Sequence, residues 1–120
     1  IDIMELIGGE GYNDKTTYGT IHWQDNGTHA QYGGTKTLAS GKFADEFHVF
    51  SIEWDQSSIH WLLDNVEFKS VNTTPAELSE FQEKFFLIFN VAVGGNFPGN
   101  PDATSVFPQT MYVDYVRIFQ

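Results

Sequence analysis

The chain has 120 residues, six of them Lys or Arg and sixteen Asp or Glu, for a net charge of −10. That balance repels phosphate backbones and anionic bilayers, so nucleic acid and membrane surfaces are excluded as partners, whereas an uncharged sugar polymer carries no such penalty. Cysteine is absent, which removes disulfides and thiol catalysis. Hydrophobic residues make up 41% and aromatics 16%, enough for one stiffly packed domain. No apolar run is long enough to span a bilayer as a helix.

In chain order the dominant pattern is short runs of Val, Ile, Phe, Tyr and Trp between Gly, Asn and Asp clusters, which predicts strands and turns. Residues 1–7 form the first expected strand. It opens without any lead-in, so a missing upstream segment is expected. Gly8-Gly9-Glu10-Gly11 and Asn13-Asp14 then make a long turn, read as a loop bordering a cleft. Without a following Lys-Ser/Thr, it is no phosphate loop. Residues 16–23 are the second strand, ended by Asp25-Asn26-Gly27, and residues 28–45 read as loop-rich because of Gly33-Gly34 and Gly41.

Residues 47–54 and 59–63 read as a hairpin around Asp55-Gln56-Ser57-Ser58. Asp64-Asn65 turns the chain into a strand over 66–71. One short helix is predicted next, with Thr74 as cap, Pro75 in the first turn, Glu77 completing a capping box, and Leu78 and Phe81 on its apolar side. Residues 85–93 are apolar almost throughout, which predicts a strand buried on both faces. A Gly-, Asn- and Pro-rich loop over 94–101 leads to a last strand over 111–119. Many short strands with one small helix point to an all-β sandwich of antiparallel sheets.

Asp2 and Glu5 interrupt an otherwise apolar first strand. Residues three apart on a regular strand point to opposite faces, but a β-bulge, with Met4 as the extra residue, puts both on one face while Ile1 and Ile3 pack inward. Paired carboxylates suit retaining glycoside cleavage, which needs two carboxyl groups ~5–5.5 Å apart. Crowding keeps one of them protonated and able to act as an acid. On spacing alone, ordinary polar residues on a half-exposed strand are the favoured reading.

Ile1-Asp2-Ile3-Met4-Glu5 resembles the later part of the Glu-x-Asp-x-x-Glu signature of glycoside hydrolase family 16, laminarinase (endo-β-1,3-glucanase) type. Further resemblances follow in order: Thr20-Ile21-His22-Trp23, residues 45–54, Phe89-Asn90-Val91-Ala92-Val93-Gly94-Gly95-Asn96-Phe97-Pro98-Gly99, and Met111-Tyr112-Val113-Asp114-Tyr115-Val116-Arg117-Ile118-Phe119. The resemblance implies that residues 1–120 are the C-terminal part of a single jelly-roll catalytic domain with an open cleft. It implies retaining hydrolysis of β-1,3-glucan, with no cofactor for catalysis and an extracellular location.

Carried over residue by residue, Glu5 matches the acid/base and Asp2 the carboxylate that orients the nucleophile. The family's nucleophile is the Glu immediately before the residue matching Ile1. It is not in this chain, so the chain alone is expected to be inactive, with the N-terminal half of the domain as its partner.

The resemblance places His22 in the cleft, where a buried structural His is the alternative. Asn90 either faces sugar hydroxyls or bonds to backbone. Asn96 and Phe97 belong to a sugar-binding loop in which Phe97 stands where laminarinases often have Trp. Asp114 matches a ligand of a structural Ca²⁺, with a paired structural Asp as the alternative. His29, His48 and His60 read as structural or surface residues without metal-ligand spacing. Asn26-Gly27-Thr28 and Asn72-Thr73-Thr74 fit the glycosylation sequon.

Two other readings keep the fold. One is a non-catalytic β-glucan-binding protein, against which the retained Asp2 and Glu5 argue. The other is a galactan (agar or carrageenan) hydrolase, against which the scarcity of Lys and Arg argues.

Overall fold

The computed structural model describes residues 1–9 and 14–120. The part of the expected cleft-bordering loop that falls on 10–13 lies outside the described residues. The chain divides into two compact units, Ile1–Phe85 and Phe86–Gln120.

The first unit contains six strands in two antiparallel meanders. One sheet joins β1 (Asp2–Leu6), β2 (Thr16–Asp25) and β3 (Thr28–Thr37); the other joins β4 (Phe50–Trp54), β5 (Ser58–Leu63) and β6 (Val66–Asn72). Two of the hairpin turns that the sequence marks use left-handed backbone: Asn26 and Gly27 (φ 49° and 80°) between β2 and β3, and Asp64 and Asn65 (φ 51° and 65°) between β5 and β6. Two such residues in succession match the right-handed twist of the flanking strands.

Strict alternation builds the core. Thr17, Gly19 and Ile21 of β2 and Ile59, Trp61 and Leu63 of β5 are buried, while their odd-even neighbours are not. Ile21, Ile59 and Trp61 meet Leu78 and Phe81, with Ile1, Trp23, Ile52, Phe68 and Val71 packed around them. Burying each large side chain contributes roughly 1.5–3 kcal/mol. The Trp61 indole lies over Gly19, where a Cβ would come within 2.8 Å of its Cγ and Nε1. Its Nε1–H donates to the Asp2 carbonyl at 2.9 Å, so the core residue also pins β1.

Three sequence expectations need correction. Residues 28–37 are a ten-residue strand rather than loop. Gly33 and Gly34 do not break it, because Gly33 lies against the Gly19–Thr20 backbone and Gly34 against the Lys69 side chain, where a larger residue would collide. The helix is a kinked 3-10 segment, Ala76–Gln82, with no side-chain cap. Thr74 is not the cap: Pro75 occupies that position, and the Thr74 N–H, which a capping box would pair with Glu77, donates with its hydroxyl to Asn72 Oδ1 instead, at 2.9 and 2.8 Å. Leu78 and Phe81 are nonetheless its buried side, and the segment is tied down by Trp54 Nε1–H donating to the Phe81 carbonyl at 3.0 Å.

The third correction concerns residues 85–93 and 111–119. Neither segment forms a strand, and every residue in both is exposed. A strand exists only when a neighbour takes its N–H and C=O groups. None of the six described strands pairs with these segments, so their apolar side chains have no sheet on which to be buried. In this second unit the order is local. Gly95 and Gly99 exchange backbone hydrogen bonds (3.1 and 2.9 Å), and Asp102 Oδ1 accepts from the Thr104 N–H and hydroxyl at 2.8 and 2.7 Å. Among the described residues, no helix is long and apolar enough to cross a membrane.

Candidate active site

The site begins with the register of β1 on β2. Asp2 pairs with Thr20 and Glu5 with Tyr18, so Ile3 and Met4 together oppose Gly19 alone. That is the predicted bulge. It places Asp2 and Glu5 on the same side of the sheet as Tyr18, Thr20 and His22, the side opposite the buried Thr17, Gly19 and Ile21. Ile1 packs against the core and Ile3 is half-buried, as the bulge requires.

Asp2, Glu5 and His22 converge, each offering a polar atom within 4.8 Å of the other two. His22 Nε2 lies 2.9 Å from Asp2 Oδ2, an ion-pair contact with both side chains still partly open to solvent, at 39% and 35%. His22 is therefore not a buried structural residue. Loss of solvent around Glu5 pushes its pKa above the ordinary carboxylate value, and the nearby Asp2 charge pushes it further the same way, while His22 opposes both. A carboxyl group so held keeps its proton to higher pH than a free glutamate and can deliver it to a leaving group.

The sequence reading missed His29, whose Nε2 lies 3.0 Å from His22 Nδ1. Two features hid it: the Gly33-Gly34 pair disguised β3 as loop, and no metal-type spacing flagged the residue. Once β3 is a strand, its register with β2, His22 opposite Gln31 and Gln24 opposite His29, puts His29 and Gln31 on the same face as His22. Tyr18 was within reach of the sequence, since alternation along β2 places it with Thr20 and His22. Trp23 packs against the core, as expected of a residue on the face opposite His22.

The remaining candidates lie in the second unit, and all four side chains are exposed. Asn96 and Phe97 sit at the tip of the loop closed by the mutual Gly95–Gly99 bonds, and Asn90 lies in the unpaired segment before it. Asp114 belongs to no cluster of three Asp, Glu or His ligand atoms among the described residues. Ca²⁺ takes about six to eight oxygens, and the described carboxylates do not assemble such a site around Asp114.

An antiparallel sandwich with a bulged acidic strand on one open face is the architecture of a glycan-cleaving family. The chain belongs to it: the profile of Glycosyl hydrolases family 16 matches residues 1–117. Among its relatives, Glucan endo-1,3-beta-glucosidase A1 of Niallia circulans is 36% identical over 135 residues, covering 100% of this chain and 19% of that protein. The Clotting factor G alpha subunit of Tachypleus tridentatus is 33% identical over 120 residues, covering 98% and 17%. The catalytic domain of an endo-1,3-beta-glucanase (laminarinase) from Thermotoga petrophila RKU-1 superposes with a TM-score of 0.67 at 34% identity, over 88% of this chain and 43% of that one. The chain thus spans less than a fifth of these two curated relatives and under half of the solved catalytic domain.

Proposed function

We propose that this chain is the C-terminal part of a single catalytic domain that hydrolyses β-1,3-glucosidic bonds in laminarin-type glucans with retention of configuration. The observation that carries the reading is the bulge between Asp2 and Glu5, which brings both carboxylates and His22 to one open face. Glu5 is the acid/base. Its raised pKa suits protonation of the leaving oxygen, and once ionised it activates the water that releases the sugar. Asp2 orients the nucleophile, a glutamate contributed by polypeptide outside residues 1–120, and His22 holds Asp2 in place through the 2.9 Å ion-pair contact.

The remainder of the domain supplies strands beside residues 85–93 and 111–119 and covers their apolar faces. In the completed cleft Asn90, Asn96 and Phe97 contact sugar, Phe97 by stacking on a pyranose face. Asp114 contributes one ligand of a structural Ca²⁺ whose other oxygens come mainly from that remainder. A polymeric substrate places the work outside the cell.

The test is Glu5→Gln in the intact enzyme. Hydrolysis of laminarin is expected to fall by roughly 10²–10⁴-fold, the usual contribution of an acid/base group, while laminarin binding persists. A variant with undiminished hydrolysis removes Glu5 from the role and leaves glucan binding without cleavage as the function of this face.

A further inference from the structure

His22 is held from both sides of its ring. Nε2 faces Asp2 Oδ2 at 2.9 Å and Nδ1 faces His29 Nε2 at 3.0 Å. The two imidazoles are nearly parallel, at 19°, with centroids 5.2 Å apart. The facing nitrogens are much closer than the centroids, so the contact runs edge to edge along an N–H···N axis and is not a face-on stack.

The arrangement restricts where protons sit. A carboxylate only accepts, so the 2.9 Å contact with Asp2 Oδ2 favours the His22 tautomer with its proton on Nε2. A neutral His22 then presents a bare lone pair at Nδ1, and the proton between the rings must come from His29 Nε2. The register of β2 on β3 makes this possible: His22 and His29 are diagonal neighbours on one face, within reach of two ring side chains.

From this geometry we infer that His29 is a positioning residue for the acidic pair: it donates to His22 Nδ1, fixing the ring plane and the tautomer with which His22 serves Asp2. His29 itself does not touch the acidic residues; it acts through His22. The same logic governs ligand histidines, whose second nitrogen is oriented by an outer partner. The inference rests on the reading of Asp2 as the residue that orients the nucleophile, because a loosened His22 matters to hydrolysis only through Asp2. Loss of the His29 donor leaves the His22 ring free to rotate about χ2 and releases Asp2 from its fixed rotamer.

Two measurements test it, one of which reads no hydrolysis. In the 120-residue chain labelled with ¹⁵N-histidine, at mildly alkaline pH, the expected result is a scalar coupling across the bond from His29 Nε2–H to His22 Nδ1, with His22 protonated at Nε2. In the intact polypeptide, His29→Phe is expected to lower kcat on laminarin by roughly ten- to a hundredfold, the scale of a small misplacement, with KM held within about twofold. His29→Gln, whose amide can donate to the same nitrogen, is expected to restore most of that loss. Absence of the coupling, or a His22 protonated on Nδ1, overturns the inference, and this holds even if His29→Phe fails to fold. A clear coupling with unchanged kcat in His29→Phe overturns the positioning role. If instead Glu5→Gln remains fully active, the catalytic reading fails while the ring measurement still reports the tautomer, so the two failures are distinguishable.

Discussion

Residues 50–72 and residues 86–119 carry the same kind of sequence, with short aromatic and β-branched runs between turn residues, yet only the first is built into a sheet. Their turns are equally well made. Asp55 Oδ1 accepts from the Ser57 and Ser58 N–H groups at 2.7 and 2.9 Å, and Asp102 Oδ1 accepts from the Thr104 N–H at 2.8 Å. The regions part at longer range. β5 has a neighbour on each edge and delivers Ile59, Trp61 and Leu63 to a core, whereas, among the described residues, 111–119 have no strand partner and stay exposed. Local chemistry is settled by a few adjacent residues, but a strand is a property of a pair.

The largest effect that sharpens the contrast is truncation of one aromatic in each region. Trp61→Ala is expected to cost ~3–5 kcal/mol by urea unfolding, since the side chain is fully buried and holds the Asp2 carbonyl. Phe86→Ala, at a side chain 83% exposed, is expected to stay within ~0.5 kcal/mol. Comparable losses at both positions would break the comparison. Next comes Gly19→Ala, whose methyl group meets the Trp61 ring. The overpacking is expected to cost about 1–3 kcal/mol, and to separate Asp2 from His22 as seen by a weaker His22 ring hydrogen bond in NMR.

A smaller effect depends on pH. The folded chain holds the Glu5 proton more tightly than the unfolded chain does, so between the ordinary glutamate value and the raised folded one, stability falls as pH rises, and it stays lower above that interval. Glu5→Gln removes the penalty. Its midpoint of thermal unfolding is expected to exceed that of the unsubstituted chain slightly at neutral pH and to lose that advantage below pH ~4. The gain is modest because Glu5 is open to solvent and screened.

The smallest effect concerns the two turns. Hydrogen bonds from serine or threonine hold Asp55 and Asp102 below the ordinary aspartate pKa. Both groups are expected to keep that depression in short peptides spanning 54–59 and 101–106, as read by NMR titration. Disappearance of the Asp55 depression alone would show that the sheet, not the local turn, makes it.

The acidic face was legible because its cause is local: two carboxylates three apart in an apolar run share a face only across a bulge, and the bulge is present. The sandwich was legible from alternation, most clearly in Ile59, Trp61 and Leu63. His29 was not, because glycine normally signals a break, and only the partner strand shows that Gly33 is small in order to approach Gly19. Thr74 failed as a cap because the helical turn starts one residue later than expected, with Pro75 before it, and Asn72 takes the Thr74 N–H that Glu77 would have bound. Residues 85–93 were misjudged because apolar character alone does not make a strand, and none of the described strands pairs with them.

The two-against-one pairing at Gly19 has a consequence for chain length. A strand that spends two residues over the span of one returns to its original phase if one of them is deleted. Without Met4, Asp2 and the glutamate after Ile3 would stand two apart and point the same way along an uninterrupted ladder. The acidic face can therefore survive loss of that single residue, giving up only the local twist, whereas loss of a residue within 16–22 would turn His22 to the opposite side.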